Sequence, residues 1–348
     1  MPVRLWELKY GYARPPSSWR VGENRYIAVG SKLFSSTKWA TLHDFLPYYA
    51  KRKLGWAWGQ AELGKPHSHR HPIMQWFDAA GRLHESAYPA NEERDANIVR
   101  VQPLTAGASA WHRFAYDLYL TDDAGVLTSR LLQRLKNAHS FQGARYELMI
   151  AGELLRAGFQ LNPIDERISK KRLGEWNAIH RSSGDAFSVE VKSVSRPGYL
   201  GRDGEPKTIS SMGKALGRLL RDALLKEADH ERIIFLEVNM PPSYQKGFWT
   251  EAATEHLAFV DDQSRDHARP LPPAYVVFTN RPNHLVELDA PEPQPTHGFT
   301  AIGIPAFRSG DPDQVQEHLA RRPALLALHH SLKRQEIPYE WGPLDLAP

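Results

Sequence analysis

The 348-residue sequence contains no cysteine. That excludes disulfides, Cys-ligated zinc, iron–sulfur clusters and a thiol nucleophile, and it fits a reducing compartment, with the cytoplasm as the expectation. A long apolar run is also missing. Stretches such as IIFL at 233–236 fall far short of the roughly 20 residues that a membrane-crossing helix needs. The opening MPVRLWELKYGYARPP carries charges at Arg4, Glu7 and Lys9, so it does not read as a signal peptide, and no membrane partner is expected. Repeats are absent, and low complexity is confined to Pro-rich loops near 270 and 291.

What is present is enough to fold. Apolar residues make up 41% of the chain and aromatics 10%, so a sizeable core is affordable, and the length predicts two domains. The formal charge is +4 overall, but residues 1–140 carry an excess of +7 and the remainder −3. A basic first segment suits a polyanionic partner. Seven of the ten tryptophans also fall before residue 140. Residues 1–139 therefore read as a basic, Trp-rich, mainly helical or irregular region, in which Lys51-Arg52-Lys53 beside Trp56 and Trp58 offers backbone contacts and base stacking. The competing reading is a solvated helix end next to core aromatics. His67, His69 and His71 alternate in GKPHSHRHP, and an extended segment would put all three on one side, as a zinc or nickel site requires. Flanking prolines favour a loop instead.

The second region, 140–330, has a regular order. RYELMIAGELLRAGF has helical spacing and ends where Gly158 can close it. EWNAIHR and AFSVEVKSV are strand-like and joined by the turn Ser182-Ser183-Gly184-Asp185. A basic loop leads into the helix MGKALGRLLRDALLK, after which RIIFLEVNM and AYVVFTN read as buried strands. Residues 331–348 look like a tail laid on the surface. The fold class is α/β.

Side chains alternate across a strand, so Phe187, Val189 and Val191 face one way and Ser188, Glu190 and Lys192 the other. If the two strands pair as a hairpin with their apolar faces together, Glu175 and Asn177 share the face of Glu190 and Lys192. On the helix, Glu147 heads the stripe Ile150, Ala151, Leu154 and Leu155, while Glu153 and Arg156 fall on other faces. A carboxylate turned towards a core needs a partner or a metal.

FQGARYELMIAGELLRAGF, GEW and VEVKS, taken in this order, resemble the PD-(D/E)XK superfamily of restriction-endonuclease-like nucleases over roughly residues 140–240, with EVKSVSRPG similar to uncharacterised bacterial members. The resemblance implies an α-β-β-β-α-β core. It also implies a divalent-metal-dependent nuclease with Glu147, Glu175, Glu190 and Lys192 in the active site. Glu175, Glu190, the Val191 carbonyl and Glu147 would hold Mg²⁺ or Mn²⁺, as hard cations take oxygen ligands. Lys192 would orient or deprotonate the attacking water and stabilise charge on the phosphate. Substrate contacts are expected from Asn177, Arg196, Tyr199, Arg202 and Lys207, and from Lys214, Arg218 and Arg221 on the helix. The implied substrate is nucleic acid, DNA before RNA, and a second copy or a defence-system protein is the partner class such a nuclease admits. Two departures stand against it: Asn177 replaces an acid, and there is no Pro-Asp pair. A nuclease-fold binding protein without catalysis is the alternative.

Overall fold

Glycine writes the first local structure. After helix α1 (Val3–Tyr10), the strands β1 (Ser17–Val21), β2 (Asn24–Val29) and β3 (Lys32–Ser36) form an antiparallel meander. Its two-residue turns begin at Gly22 and Gly30, whose φ of 57° and 55° are open to glycine at no steric cost. The region 1–139, expected to be mainly helical or irregular, is mainly helical and also holds this three-stranded sheet. The computed structural model describes residues 3–87, 102–164, 174–198, 200, 204, 212–240, 255–260, 262, 271–281, 287–304, 312–334 and 336–343.

Helices α2 (Leu42–Leu54), α3 (Trp56–Leu63), α4 (Pro72–Ala87), α5 (Ala106–Asp123) and α6 (Ser129–Leu135) follow. Two of them start on threonine caps, Thr105 accepting from Ala108 N and Thr128 from Leu131 N. Helix α7 (Phe141–Arg156) lies at the centre of the molecule, against α5, α6 and the strands that follow it. It closes at Gly158, which has φ 90° and donates its N–H to Leu155 O. Because α7 is covered nearly all round, Glu153 and Arg156 are buried along with Ile150, Ala151 and Leu154. The single apolar stripe read from the sequence underestimates this enclosure.

Next come β4 (Phe159–Pro163), β5 (Trp176–His180), β6 (Ala186–Ser193), helix α8 (Met212–Leu224), β7 (Glu231–Glu237), β8 (Ala274–Asn280) and β9 (Thr296–Ile302), then helices α9 (Pro312–Ala320) and α10 (Pro323–Lys333). The six strands form one mixed sheet in the order β4-β5-β6-β7-β8-β9. β4, β5 and β6 pair antiparallel, β6-β7 and β7-β8 parallel, and β8-β9 antiparallel. The central β7 and β8 are apolar nearly throughout, as strands covered on both faces must be. From α7 to β7 the described elements run α-β-β-β-α-β.

The two faces have separate cores. Phe187, Val189, Val191, Ile233, Phe235, Tyr275 and Val277 pack on the α7 side, in a cluster that continues through α2, α4 and α5 to Ile27 of the meander. On the other face Leu216, Leu220 and Leu224 of α8 cover Ile234, Leu236, Val276 and Phe278. The register places Glu190 beside Ile234 and Lys192 beside Leu236, so both look towards the α8 side. The expected surface tail is corrected. Trp341 is 6% exposed, donates Nε1–H to Ala40 O at 2.9 Å and lies under the Arg25 guanidinium. Burying an indole of this size outweighs the entropy of ordering its segment.

Candidate active site

The site is built on the β5–β6 hairpin. Trp176 pairs with Val189, Asn177 with Ser188 and Ala178 with Phe187, and the Glu175 N–H donates to Val189 O at 2.8 Å, which holds Glu175 against the strand that carries Glu190. The alternation that buries Trp176, Ala178, Phe187 and Val189 in the α7-side core turns Glu190 to the other side. Gly174 permits the close approach. A Cβ there would stand 2.6 Å from Val189 O and 3.7 Å from Glu190 Oε2. The two strands could not meet in this register with a larger residue.

Glu190 is buried and meets two ammonium groups: Oε1 lies 2.5 Å from Lys192 Nζ and 3.0 Å from Lys226 Nζ. Oε2 is buried and makes no hydrogen bond. Burial pushes the Glu190 carboxyl above its ordinary range, Lys192 and Lys226 hold it down, and the Glu175 charge pushes it up again. Glu147 enters from α7 as an ion pair with Arg134 of α6. Burial and the Glu175 charge push its carboxyl up to about 7 against the pull of Arg134. Glu175 is therefore the link that the other two acids both feel.

Side-chain positions stop short of a complete cage: among the described residues, no three His, Cys, Asp or Glu are grouped so that they could hold a metal ion. The donor chemistry nevertheless fits a hard divalent cation. Glu190 Oε2 is a buried acceptor without a donor, it lies beside Gly174, and the charge of a second carboxylate, Glu175, reaches it. Val191 turns its side chain into the core, so its contribution would be its carbonyl alone.

The other expected residues are distributed unevenly. Asn177 accepts a hydrogen bond from Ser188 Oγ at 3.2 Å, in the pair next to Trp176–Val189. Arg196 donates from Nε to Asn239 O at 2.6 Å and from Nη2 to Val238 O, while its own N–H and C=O are held by Gln142. Its guanidinium is engaged in clamping the end of β7. Arg218 and Arg221 are on the exposed side of α8, opposite Leu216 and Leu220. Tyr199, Arg202, Lys207 and the side chain of Lys214 lie outside the described residues. His180 is buried against Phe159 and hydrogen-bonded to Ser183 Oγ.

HSHRH does not make a metal site. His67–His69 is a turn of 3₁₀ helix, His67 faces Asp78, and His71 is buried between Trp58 and Phe141, where burial lowers its pKa to about 4. In the basic trio, Lys53 is bound to Asp122 at 2.6 Å and Lys51 lies over Trp56 and Phe77, so Arg52 alone faces the cleft beside β3. Lys226 and Arg134 were invisible to motif reading. Lys226 sits in a turn after α8 and Arg134 on a separate helix, and no short spacing connects either to its glutamate. Comparison with known proteins adds no relative: no protein-family model, no curated protein and no solved structure matches the chain.

Proposed function

We propose that the chain is a divalent-metal-dependent nuclease with a restriction-endonuclease-like core, hydrolysing phosphodiesters of DNA in preference to RNA. What carries the reading is one observation: a buried Glu190 on the β5–β6 hairpin feels the charge of Glu175 and is met by Lys192 and Lys226. The α-β-β-β-α-β order around that hairpin supports it.

Phosphodiester hydrolysis forms a P–O bond from water and breaks the ester P–O bond, the leaving oxygen ending protonated. Mg²⁺ or Mn²⁺ held by Glu175, Glu190 and Glu147 would supply charge neutralisation at the phosphate. Lys192 is the more exposed of the two lysines, at 24% against 15%, and so is the one that reaches substrate. Its ammonium stabilises negative charge on a phosphate oxygen. Lys226, with Lys192, pulls the Glu190 carboxyl down against the burial that raises it.

Cleavage of plasmid and oligonucleotides with Mg²⁺ or Mn²⁺ tests this. Glu190→Ala and Lys192→Ala should each lower the rate at least about 100-fold, in the range of lost charge stabilisation. Undiminished cleavage by both variants sinks the mechanism. The second reading, a nuclease-fold protein that binds without cutting, is favoured by Asn177 and by carboxylates already neutralised by Lys192, Lys226 and Arg134. Calorimetric titration with Mn²⁺ separates the two: saturable binding abolished in Glu175→Ala counts against the second.

A further inference from the structure

A cavity of about 40 Å³ lies between α5 and α7, away from the glutamate hairpin. That is room for roughly three waters, or one tetrahedral oxyanion. Its wall is dominated by cations: Arg113 from α5, Arg145 and Arg156 from α7, and Arg281 following β8, against Asp117 and Glu153. The remaining wall is aromatic and aliphatic, so the field of these charges is little screened.

The acids in and around the cavity leave part of this positive charge without hydrogen bonds. Glu153 Oε1 accepts from Arg156 Nη2 at 2.8 Å and from Arg281 Nη2 at 3.1 Å, and its Oε2 from Ser331. Arg113 is paired with Glu292 at 2.9 Å. Arg156 is 6% exposed, yet its Nε makes no hydrogen bond, and its Nη1 stands 3.6 Å from Asp117. Arg145 reaches Glu237 only at 3.6 Å, and its Nε and Nη2 are buried without acceptors. Buried guanidinium N–H groups are costly to leave unmade, and here they line one cavity. Asp117 is accommodated because the neighbouring α7 position is Gly152, where a Cβ would stand 2.3 Å from Asp117 Oδ1. Burial pushes the Asp117 carboxyl up to about 7, Arg156 opposing and Glu153 adding to the rise, so at neutral pH this acid is partly uncharged and competes less with an anion.

We propose that this cavity is a binding site for a small tetrahedral oxyanion of the phosphate class, held by Arg145 and Arg156 with Arg113 and Arg281 around it. The site is separate from the proposed hydrolytic centre, because Glu147 leaves α7 on a different face from Arg145 and Glu153. A bound phosphate would join α5 to α7, the contact that unites the first region of the chain with the sheet.

The test is thermal unfolding of the full chain in sodium phosphate against sodium chloride of equal ionic strength. A saturable rise in Tm specific to phosphate is expected, with apparent affinity at least about tenfold weaker in Arg145→Gln and unchanged in Glu190→Gln. No phosphate-specific rise in the wild type, or an undiminished rise in Arg145→Gln, overturns the site. Loss of the rise in Glu190→Gln also overturns it, by placing the anion at the hairpin. Should Arg145→Gln fail to fold, a wild-type crystal grown with tungstate decides: density between α5 and α7 supports the site, and its absence there overturns it.

Discussion

At the residue scale, the site consists of acids whose ionisation depends on their neighbours. Glu147 is the clearest case. Its folded pKa of about 7 lies above the roughly 4.3 of an unfolded glutamate, so between those values the native state holds more protons than the unfolded chain. Stability from this group is present in full below the lower value and is lost as pH rises to 7 and beyond. Glu147→Gln, which cannot ionise, should therefore gain on the wild type between pH 5 and pH 8, by up to about 3 kcal/mol. Urea unfolding at the two pH values measures it, and an equal difference at both refutes the assignment. Mn²⁺ should shrink the gain, because a cation near Glu175 relieves the repulsion that raises Glu147. The sequence made Glu147, Glu175, Glu190 and Lys192 visible because strand and helix periodicities speak about single faces. Lys226 escaped, since its nearness to Glu190 is a product of how α8 returns the chain to β7. Lys226→Ala should raise the Glu190 carboxyl further and weaken Mn²⁺ binding at pH 6 more than at pH 8, by calorimetry. Equal weakening at both would mean that Lys226 acts on something other than ionisation.

At the element scale, the hairpin sets the geometry of the candidate site, and a glycine sits at its closest approach. Gly174→Ala puts a methyl group 2.6 Å from a backbone oxygen that cannot swing away, so the strands must separate or Glu175 must move. A loss of about 1–3 kcal/mol is expected, as for other overpacked sites. Mn²⁺ affinity should fall with it, whereas Gly184→Ala at the far turn, where a Cβ meets nothing, should cost stability through its φ of 75° and leave metal affinity alone. Equal metal affinity in wild type and Gly174→Ala would separate the hairpin from the site. The strands flanked by clear punctuation, β5 and β6, were legible, as was α7 with Gly158 at its end. β4 and β9 were not: one is five residues ending in proline, the other opens Thr-His-Gly, and as edge strands both need only half the apolar pattern of a central one. The meander β1–β3 carried two glycine turns that composition-based reading of a Trp-rich, basic region passed over.

At the scale of the whole molecule, the charge and tryptophan asymmetry suggested two units, and the larger of the two buried clusters runs across the boundary between them. Trp111 and Phe114 of α5, Phe141 and Ile150 of α7, Phe187 and Phe235 of the sheet, and Trp341 near the carboxy terminus belong to a single buried cluster. Composition could not reveal this, because apolar residues specify burial without naming the partner surface. The consequence is cooperative. With Trp341 seated against Ala40 and Arg25, the last described segment ties down the first region, so Trp341→Ala should cost about 3–5 kcal/mol, the range for deleting a buried indole. That loss should lower the midpoint of the entire transition, seen equally by far-ultraviolet circular dichroism, which reports all helices, and by tryptophan fluorescence, which reports mainly residues before 140. If fluorescence shifts while ellipticity stays, the first region unfolds by itself, and the shared core does not couple it to the sheet that carries Glu175 and Glu190.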